Sequence, residues 1–81
     1  MSIRFEMFGV LGRLAGAQHV EVDVGGAATV GDAIEALASH RPELRDELAR
    51  CAVAIGDAIV LRRHRLAPNV TLALLPPVAG G

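Results

Sequence analysis

Residues 19–40 have the sequence HVEVDVGGAATVGDAIEALASH, in which a strand pattern is followed by a helix pattern. Valines alternate with polar residues over 19–24, as in a strand that buries one face. Two glycines at 25–26 then mark a turn. Thr29 and Asp32 have the spacing of a capping box, with Asp in place of the longer Glu or Gln. We therefore predict that a helix begins after Thr29.

The predicted helix has one apolar face. Its members recur at the i, i+3, i+4 and i+7 spacing of a buried stripe. The residues of this stripe are Val30, Ala33, Ile34, Leu37 and Ala38. Pro42 ends the pattern, because proline inside a helix removes a backbone hydrogen bond. It also suits the first turn of a second, shorter helix over residues 43–50.

Further strands flank this central segment on both sides. The other strand candidates are residues 3–8, 51–55, 58–61 and 70–75. Residues 10–15 have room for one or two helical turns between glycines. The order strand, strand, helix, short helix and three strands predicts an α+β fold, with a mixed sheet of about five strands over one main helix. This is the β-grasp, or ubiquitin-like roll.

Composition restricts the architecture and the partners. The chain has 81 residues, so we expect one domain over residues 1–75 and an extended tail over 76–81. A net charge of -1 provides no basic field for nucleic acid or anionic lipid. No stretch approaches the roughly 20 apolar residues of a membrane helix. With a single cysteine and no export signal, we expect a cytoplasmic protein without a membrane partner.

The chain ends in Pro76-Pro77-Val78-Ala79-Gly80-Gly81. Proline fixes φ and keeps the preceding residue out of the helical region, which predicts an extended arm. The two terminal glycines have no Cβ, so the walls of a partner's active site can close on their backbone. A free carboxylate is a poor electrophile, so chemistry at Gly81 requires activation, most simply as an acyl-adenylate that sulfur displaces. The alternative is a frayed terminus without function.

The ending Leu74-Leu75-Pro76-Pro77-Val78-Ala79-Gly80-Gly81 resembles that of the small, sulfur-carrying subunit of molybdopterin synthase, a ubiquitin-like sulfur carrier. The order of elements, the position of Phe8 and the helix start near Thr29 are also similar to that family. One departure is the turn Ala67-Pro68-Asn69, where family members often have an acidic, glycine-containing turn.

This resemblance implies three partners and a covalent sulfur cargo. An adenylyltransferase related to ubiquitin activators would use ATP to adenylate Gly81, and a sulfur donor protein would convert it to a thiocarboxylate. The tail, Pro76 to Gly81, would then enter the large subunit of molybdopterin synthase. There the sulfur would pass to cyclic pyranopterin monophosphate in molybdenum cofactor biosynthesis. The chain would be a protein cosubstrate that binds no cofactor itself.

A docking surface is predicted from strand alternation. Phe8 and Leu75 fall on the strand faces otherwise occupied by polar residues, and we expect Ile59 or Leu61 on the same side. Neighbouring exposed apolar side chains mark docking sites. We therefore expect Phe8, Ile59, Leu61 and Leu75 to bind the activating enzyme and the synthase subunit in turn. The alternative is a second minor core under residues 10–14.

The remaining reactive or charged residues indicate little chemistry. We interpret the basic run Arg62–Arg65 as a solvated loop rather than a contact for an acidic partner. Cys51 is expected to be buried and inert. The three histidines lack metal-ligand spacing, and the glycines of residues 9–16 match no nucleotide-binding motif. We therefore predict no metal site.

Two other classes of function remain open from the sequence. A carrier of the same fold could serve another sulfur pathway, such as thiazole formation for thiamine or cysteine synthesis. Alternatively, the chain could be a ubiquitin-like modifier that forms isopeptide bonds, or an interaction module whose tail is chemically inert. Fold alone does not distinguish these functions.

Overall fold

The computed structural model describes residues 1–77. The strands are β1 (Ser2–Met7), β2 (His19–Asp23), β3 (Ala52–Ile55), β4 (Ala58–Val60) and β5 (Thr71–Leu75). The helices are α1 (Val10–Ala15), α2 (Val30–His40) and α3 (Arg45–Arg50), with a 3-10 turn at Pro42–Leu44 before α3. Every predicted strand and helix is present, and the boundaries differ by one or two residues. The predicted tail residues Val78, Ala79, Gly80 and Gly81 lie outside the described part of the chain.

The five strands form one mixed sheet in the order β2-β1-β5-β3-β4. Strand β1 pairs with β2 antiparallel and with β5 parallel, and β3 pairs antiparallel with both β5 and β4. The first and last strands of the chain are therefore neighbours in the middle of the sheet. This arrangement confirms the predicted β-grasp fold.

Helix α2 begins where the sequence indicates. The backbone N–H of Asp32 donates to the Thr29 hydroxyl at 3.1 Å, and the Thr29 N–H donates to the Asp32 carboxylate at 3.3 Å. This reciprocal pair is the predicted capping box, with the short Asp side chain sufficient to close it. All five residues of the predicted stripe are buried.

An aliphatic core lies between α2 and the inner face of the sheet. Alternation along β1 buries Ile3, Phe5 and Met7, and alternation along β5 buries Leu72 and Leu74. No polar or charged residue is buried within residues 1–77. Folding therefore relies on apolar burial and backbone hydrogen bonds rather than on internal ion pairs.

The loop after β4 is anchored to the domain rather than simply solvated. The Arg62 guanidinium donates to the carbonyl of Cys51 at 3.2 Å and to the carbonyl of Leu48, near the end of α3. The Arg62 carbonyl accepts the Gly31 N–H of α2 at 2.8 Å. Arg62 is exposed, as expected for a solvated loop, but its guanidinium also anchors that loop to the end of α3. The rest of the run, residues 63–65, is exposed.

Cys51 is buried, as predicted, with 4% of its surface exposed. Its thiol donates to the Leu48 carbonyl at 3.2 Å. Burial raises the pKa of Cys51, and the nearby Arg62 guanidinium opposes this shift without cancelling it. The thiol therefore stays protonated at neutral pH, in the form that is a poor nucleophile.

Candidate functional site

The outer face of the sheet, opposite α2, carries the predicted docking residues. The register places Leu75 opposite Ala52, Ala73 opposite Ala54, and Ala54 opposite Ile59. Ala73, Leu75, Ala52 and Ala54 alternate with the buried Leu72, Leu74 and Val53, so their side chains lie on the outer face, where neighbours cover Ala54 to 6% exposure. Ile59 shares that face because it pairs with Ala54. In these rows the outer face is apolar across the three strands β5, β3 and β4, whereas Thr71 at the start of β5 is polar.

The same register extends this apolar surface by one row. Met7 pairs with Leu74, so the next residues, Phe8 and Leu75, lie side by side. Likewise Val53 pairs with Val60 in the antiparallel ladder, so the next residue after β4, Leu61, lies beside Ala52. We call the resulting surface the outer patch, and its residues are Phe8, Ala52, Ile59, Leu61, Ala73 and Leu75.

The outer patch is exposed at both ends and shallow in the middle. Ile59 is 64% exposed, Leu61 60% and Phe8 45%. Small alanine side chains separate the Phe8 end from the Ile59 end. The structure shows no closed second core under α1 within residues 1–77, because Phe8 and Leu14 are 45% and 43% exposed.

The four predicted docking residues therefore share one face, although sequence reasoning missed the two alanines Ala52 and Ala73. Alanine on a strand carries no distinctive signal by itself. The outward position of Ala73 could have been inferred from the sequence, because Ala73 lies between Leu72 and Leu74, which were both expected to point inward. The position of Ala52 beside Leu75 required knowledge of which strands pair.

The tail leaves the domain next to the outer patch. Leu75 ends β5, Pro76 is half-buried and Pro77 is exposed. A groove of about 660 Å³ follows this segment, and we call it the root groove. Its lining combines apolar and charged residues, namely Phe8, Gly9, Val10, Leu75, Pro76 and Pro77 together with Arg13, Glu47 and Arg50. Phe8 and Leu75 belong to both the outer patch and the root groove, so these two surfaces are continuous.

The charges around this surface are partly paired. At the root groove, Arg50 Nη2 lies 2.9 Å from Glu47 Oε1. Arg13 forms no side-chain hydrogen bond or ion pair with residues 1–77. On the β1–β2 side of the patch, His19 Nε2 lies 3.5 Å from Glu6 Oε2. An apolar surface with a charged rim is the usual anatomy of a protein-binding site.

Other kinds of site find no support within residues 1–77. No group of three His, Cys, Asp or Glu side chains in this part of the chain is placed to hold a metal ion. No helix there is long and apolar enough to cross a membrane.

Comparison with known proteins places this geometry in a family. The model of the ThiS family matches residues 5–81. Small archaeal modifier protein 1 from Haloferax volcanii is 36% identical over 87 residues, which cover 98% of this chain and 100% of that protein. The crystal structure of the same protein has a TM-score of 0.86 at 34% identity and covers all of both chains.

Two structures of lower identity share the fold. A putative molybdopterin converting factor, subunit 1, from Pyrococcus furiosus has a TM-score of 0.81 at 21% identity, covering 96% of this chain and 99% of that one. A complex of subunits 1 and 2 of the molybdopterin-converting factor from Helicobacter pylori contains a chain with a TM-score of 0.68 at 23% identity, with full coverage of both chains.

Together, the β-grasp fold and these matches define a ubiquitin-like protein of the carrier and modifier class. More narrowly, the chain belongs to the ThiS family of ubiquitin-like sulfur carriers. The resemblance found in the sequence is confirmed at this level.

Proposed function

We propose that this chain is the small subunit of molybdopterin synthase and that Gly81 carries its sulfur as a thiocarboxylate. The observation that carries the proposal is the continuity of the outer patch with the root of the tail. A partner bound to Phe8 and Leu75 is already at the point where the Pro76-Pro77 segment leaves the domain. Binding energy from the patch can therefore deliver the terminal residue to a remote active site.

The proposed loading reaction uses no side chain of this domain. A Gly81 carboxylate oxygen attacks the α-phosphorus of ATP in the adenylyltransferase, and pyrophosphate leaves. Sulfide supplied by the sulfur donor protein then attacks the carbonyl carbon of this mixed anhydride, and AMP leaves with the electrons of the acyl C–O bond. The product is a thiocarboxylate with one sulfur in place of one oxygen. The described domain contributes recognition, and the partner contributes catalysis.

The proposed acceptor is cyclic pyranopterin monophosphate, held by the large subunit of the synthase. Support comes from the Pro-Pro-Val-Ala-Gly-Gly ending and from the shared fold with subunit 1 of the molybdopterin-converting factor. In the Helicobacter pylori structure that subunit is in complex with subunit 2. We propose that the corresponding larger subunit binds the outer patch of this chain.

A second candidate function, protein modification, is favoured by the 36% identity to small archaeal modifier protein 1. It uses the same activated Gly81 but transfers the acyl group to an amine instead of to sulfide. This chain contains no lysine, so it offers no side-chain amine for modification by its own kind. An isopeptide bond would therefore join Gly81 to a lysine of a different protein.

Intact-mass measurement separates these functions. The full chain is incubated with the adenylyltransferase of its own organism, ATP and the sulfur donor protein. A sulfur carrier gains the mass difference between sulfur and oxygen, and loses it again when the large subunit and cyclic pyranopterin monophosphate are added. A modifier instead appears in conjugates with lysine-containing proteins.

The matched control is Gly81→Leu. It should unfold at the same denaturant concentration as the unaltered chain, because residue 81 follows the last strand of the domain. It should nevertheless gain no sulfur, because its side chain obstructs a channel shaped for a glycine backbone. If the unaltered chain neither gains sulfur nor forms conjugates, both functions are ruled out.

A further inference from the structure

The turn after β1 and the start of the tail lie against each other. Because β1 and β5 are parallel, both strands end at the same edge of the sheet, after the pair Met7 and Leu74. The chain then turns away at Gly9 to begin α1, while β5 continues into Pro76. Gly9 has φ 56° and ψ -131°, a backbone conformation that is essentially restricted to glycine.

The absence of a side chain at Gly9 provides the space that Pro76 occupies. A Cβ on Gly9 would lie 3.2 Å from Cγ of Pro76, closer than ordinary van der Waals contact. The Pro76 ring is half-buried here, at the floor of the root groove. Gly9 is thus needed both for the turn of β1 and for the seating of the ring.

The contact is rigid on the tail side. The ring fixes φ of Pro76, and the following Pro77 restricts Pro76 to extended backbone. Pro76 also has no N–H, so β5 cannot be continued through it by sheet pairing. The orientation of the Pro76 ring on Gly9 therefore determines the direction in which the next residue leaves the domain.

We propose that Gly9 is a positioning residue that aims the tail at the partner's active site. This inference rests on the proposed function, because it concerns delivery of Gly81. Five residues follow Pro76 in the sequence, and a chain of that length spans at most about 17 Å when fully extended. A tilt of about 10° at the root would then displace the terminus by roughly 3 Å, whereas misplacement of a reacting group by 1 Å can cost about a hundredfold in rate. A partner that grips the tail can correct part of this displacement.

The experiment measures ATP-dependent pyrophosphate release by the adenylyltransferase at varied concentrations of the full chain, with the sulfur donor protein in excess so that the acyl-adenylate is discharged and the enzyme turns over. Gly9→Ala should lower kcat about tenfold and leave KM within about twofold, because docking through the outer patch is retained. Gly16→Ala is the matched control. Gly16 also has positive φ, 73°, at the other end of α1, but a Cβ there meets nothing within 4 Å. The Gly16→Ala variant should therefore be less stable, because alanine is strained at positive φ, but its kcat should be near normal.

Pro76→Ala tests the contact from the tail side without altering the turn of β1, so it does not depend on whether Gly9→Ala folds. It should also lower kcat, and the double variant should lose no more than the larger single effect, because both changes disrupt the same contact. A normal kcat for Pro76→Ala, or additive losses in the double variant, would overturn this inference but leave the proposed function standing. Absence of pyrophosphate release with the unaltered chain would overturn the proposed function and this inference with it.

Discussion

Replacing Arg62 with alanine is expected to lower the free energy of unfolding by about 2 kcal/mol. The guanidinium donates to two carbonyls, those of Cys51 and Leu48, and so joins the loop after β4 to the end of α3. A hydrogen bond from a charged donor contributes about 1.5–3 kcal/mol. Two such bonds would give about 3 kcal/mol at the lower limit. Solvent exposure of Arg62 reduces that sum to about 2 kcal/mol.

Urea denaturation of four proteins measures this effect. Arg63→Ala is the matched control, because Arg63 forms no side-chain hydrogen bond or ion pair with residues 1–77, and its loss should change stability by less than about 0.5 kcal/mol. Arg62→Lys should fall between the two, since an ammonium lacks the forked geometry that reaches both carbonyls. Equal stabilities of the Arg62→Ala and Arg63→Ala variants, within about 0.5 kcal/mol, would refute the role of Arg62 as an anchor.

Three further predictions concern the docking surface, pH and thiol reactivity. Ile59→Asp should weaken binding of the large synthase subunit about tenfold or more by calorimetry, whereas Ala58→Asp on the other face of β4 should not. The hydrogen bond from the Gly25 N–H, followed by the terminal ammonium, lowers the pKa of Asp23 below 3.8. Asp23→Asn should therefore be less stable than the unaltered chain above about pH 4, and the difference should vanish as the pH falls through the lowered pKa. Cys51 should react with iodoacetamide far more slowly in the native protein than in urea, and equal rates would contradict its burial.

Most of the fold could be predicted because its signals are local. The stripe that begins at Val30 repeats every three to four residues, which only a helix places on one face. The capping pair Thr29 and Asp32 fixed the start of that helix. Strand alternation likewise placed Phe8 and Leu75 on the outer face, because parity within a strand needs no knowledge of its neighbours.

What the sequence could not predict depends on contacts between distant segments. Arg62 is one of several arginines in a loop, and only the folded chain brings it to the end of α3. The position of Ala52 between Leu75 and Leu61 follows from strand order, which alternation does not encode. The contact of Gly9 with Pro76 joins residues far apart in sequence, through the parallel pairing of the first and last strands.

The strand that leads into the tail is also the one that holds the sheet together. Among residues 1–77, strand β5 is central, and the hairpins β1–β2 and β3–β4 are joined in the sheet only through it. Tension applied at the C-terminus by a partner is therefore carried into ladders on both sides of β5, along the strand axis, where many hydrogen bonds resist shear at once. A force applied at the C-terminus therefore does not break the hydrogen bonds of the sheet one at a time from an edge strand.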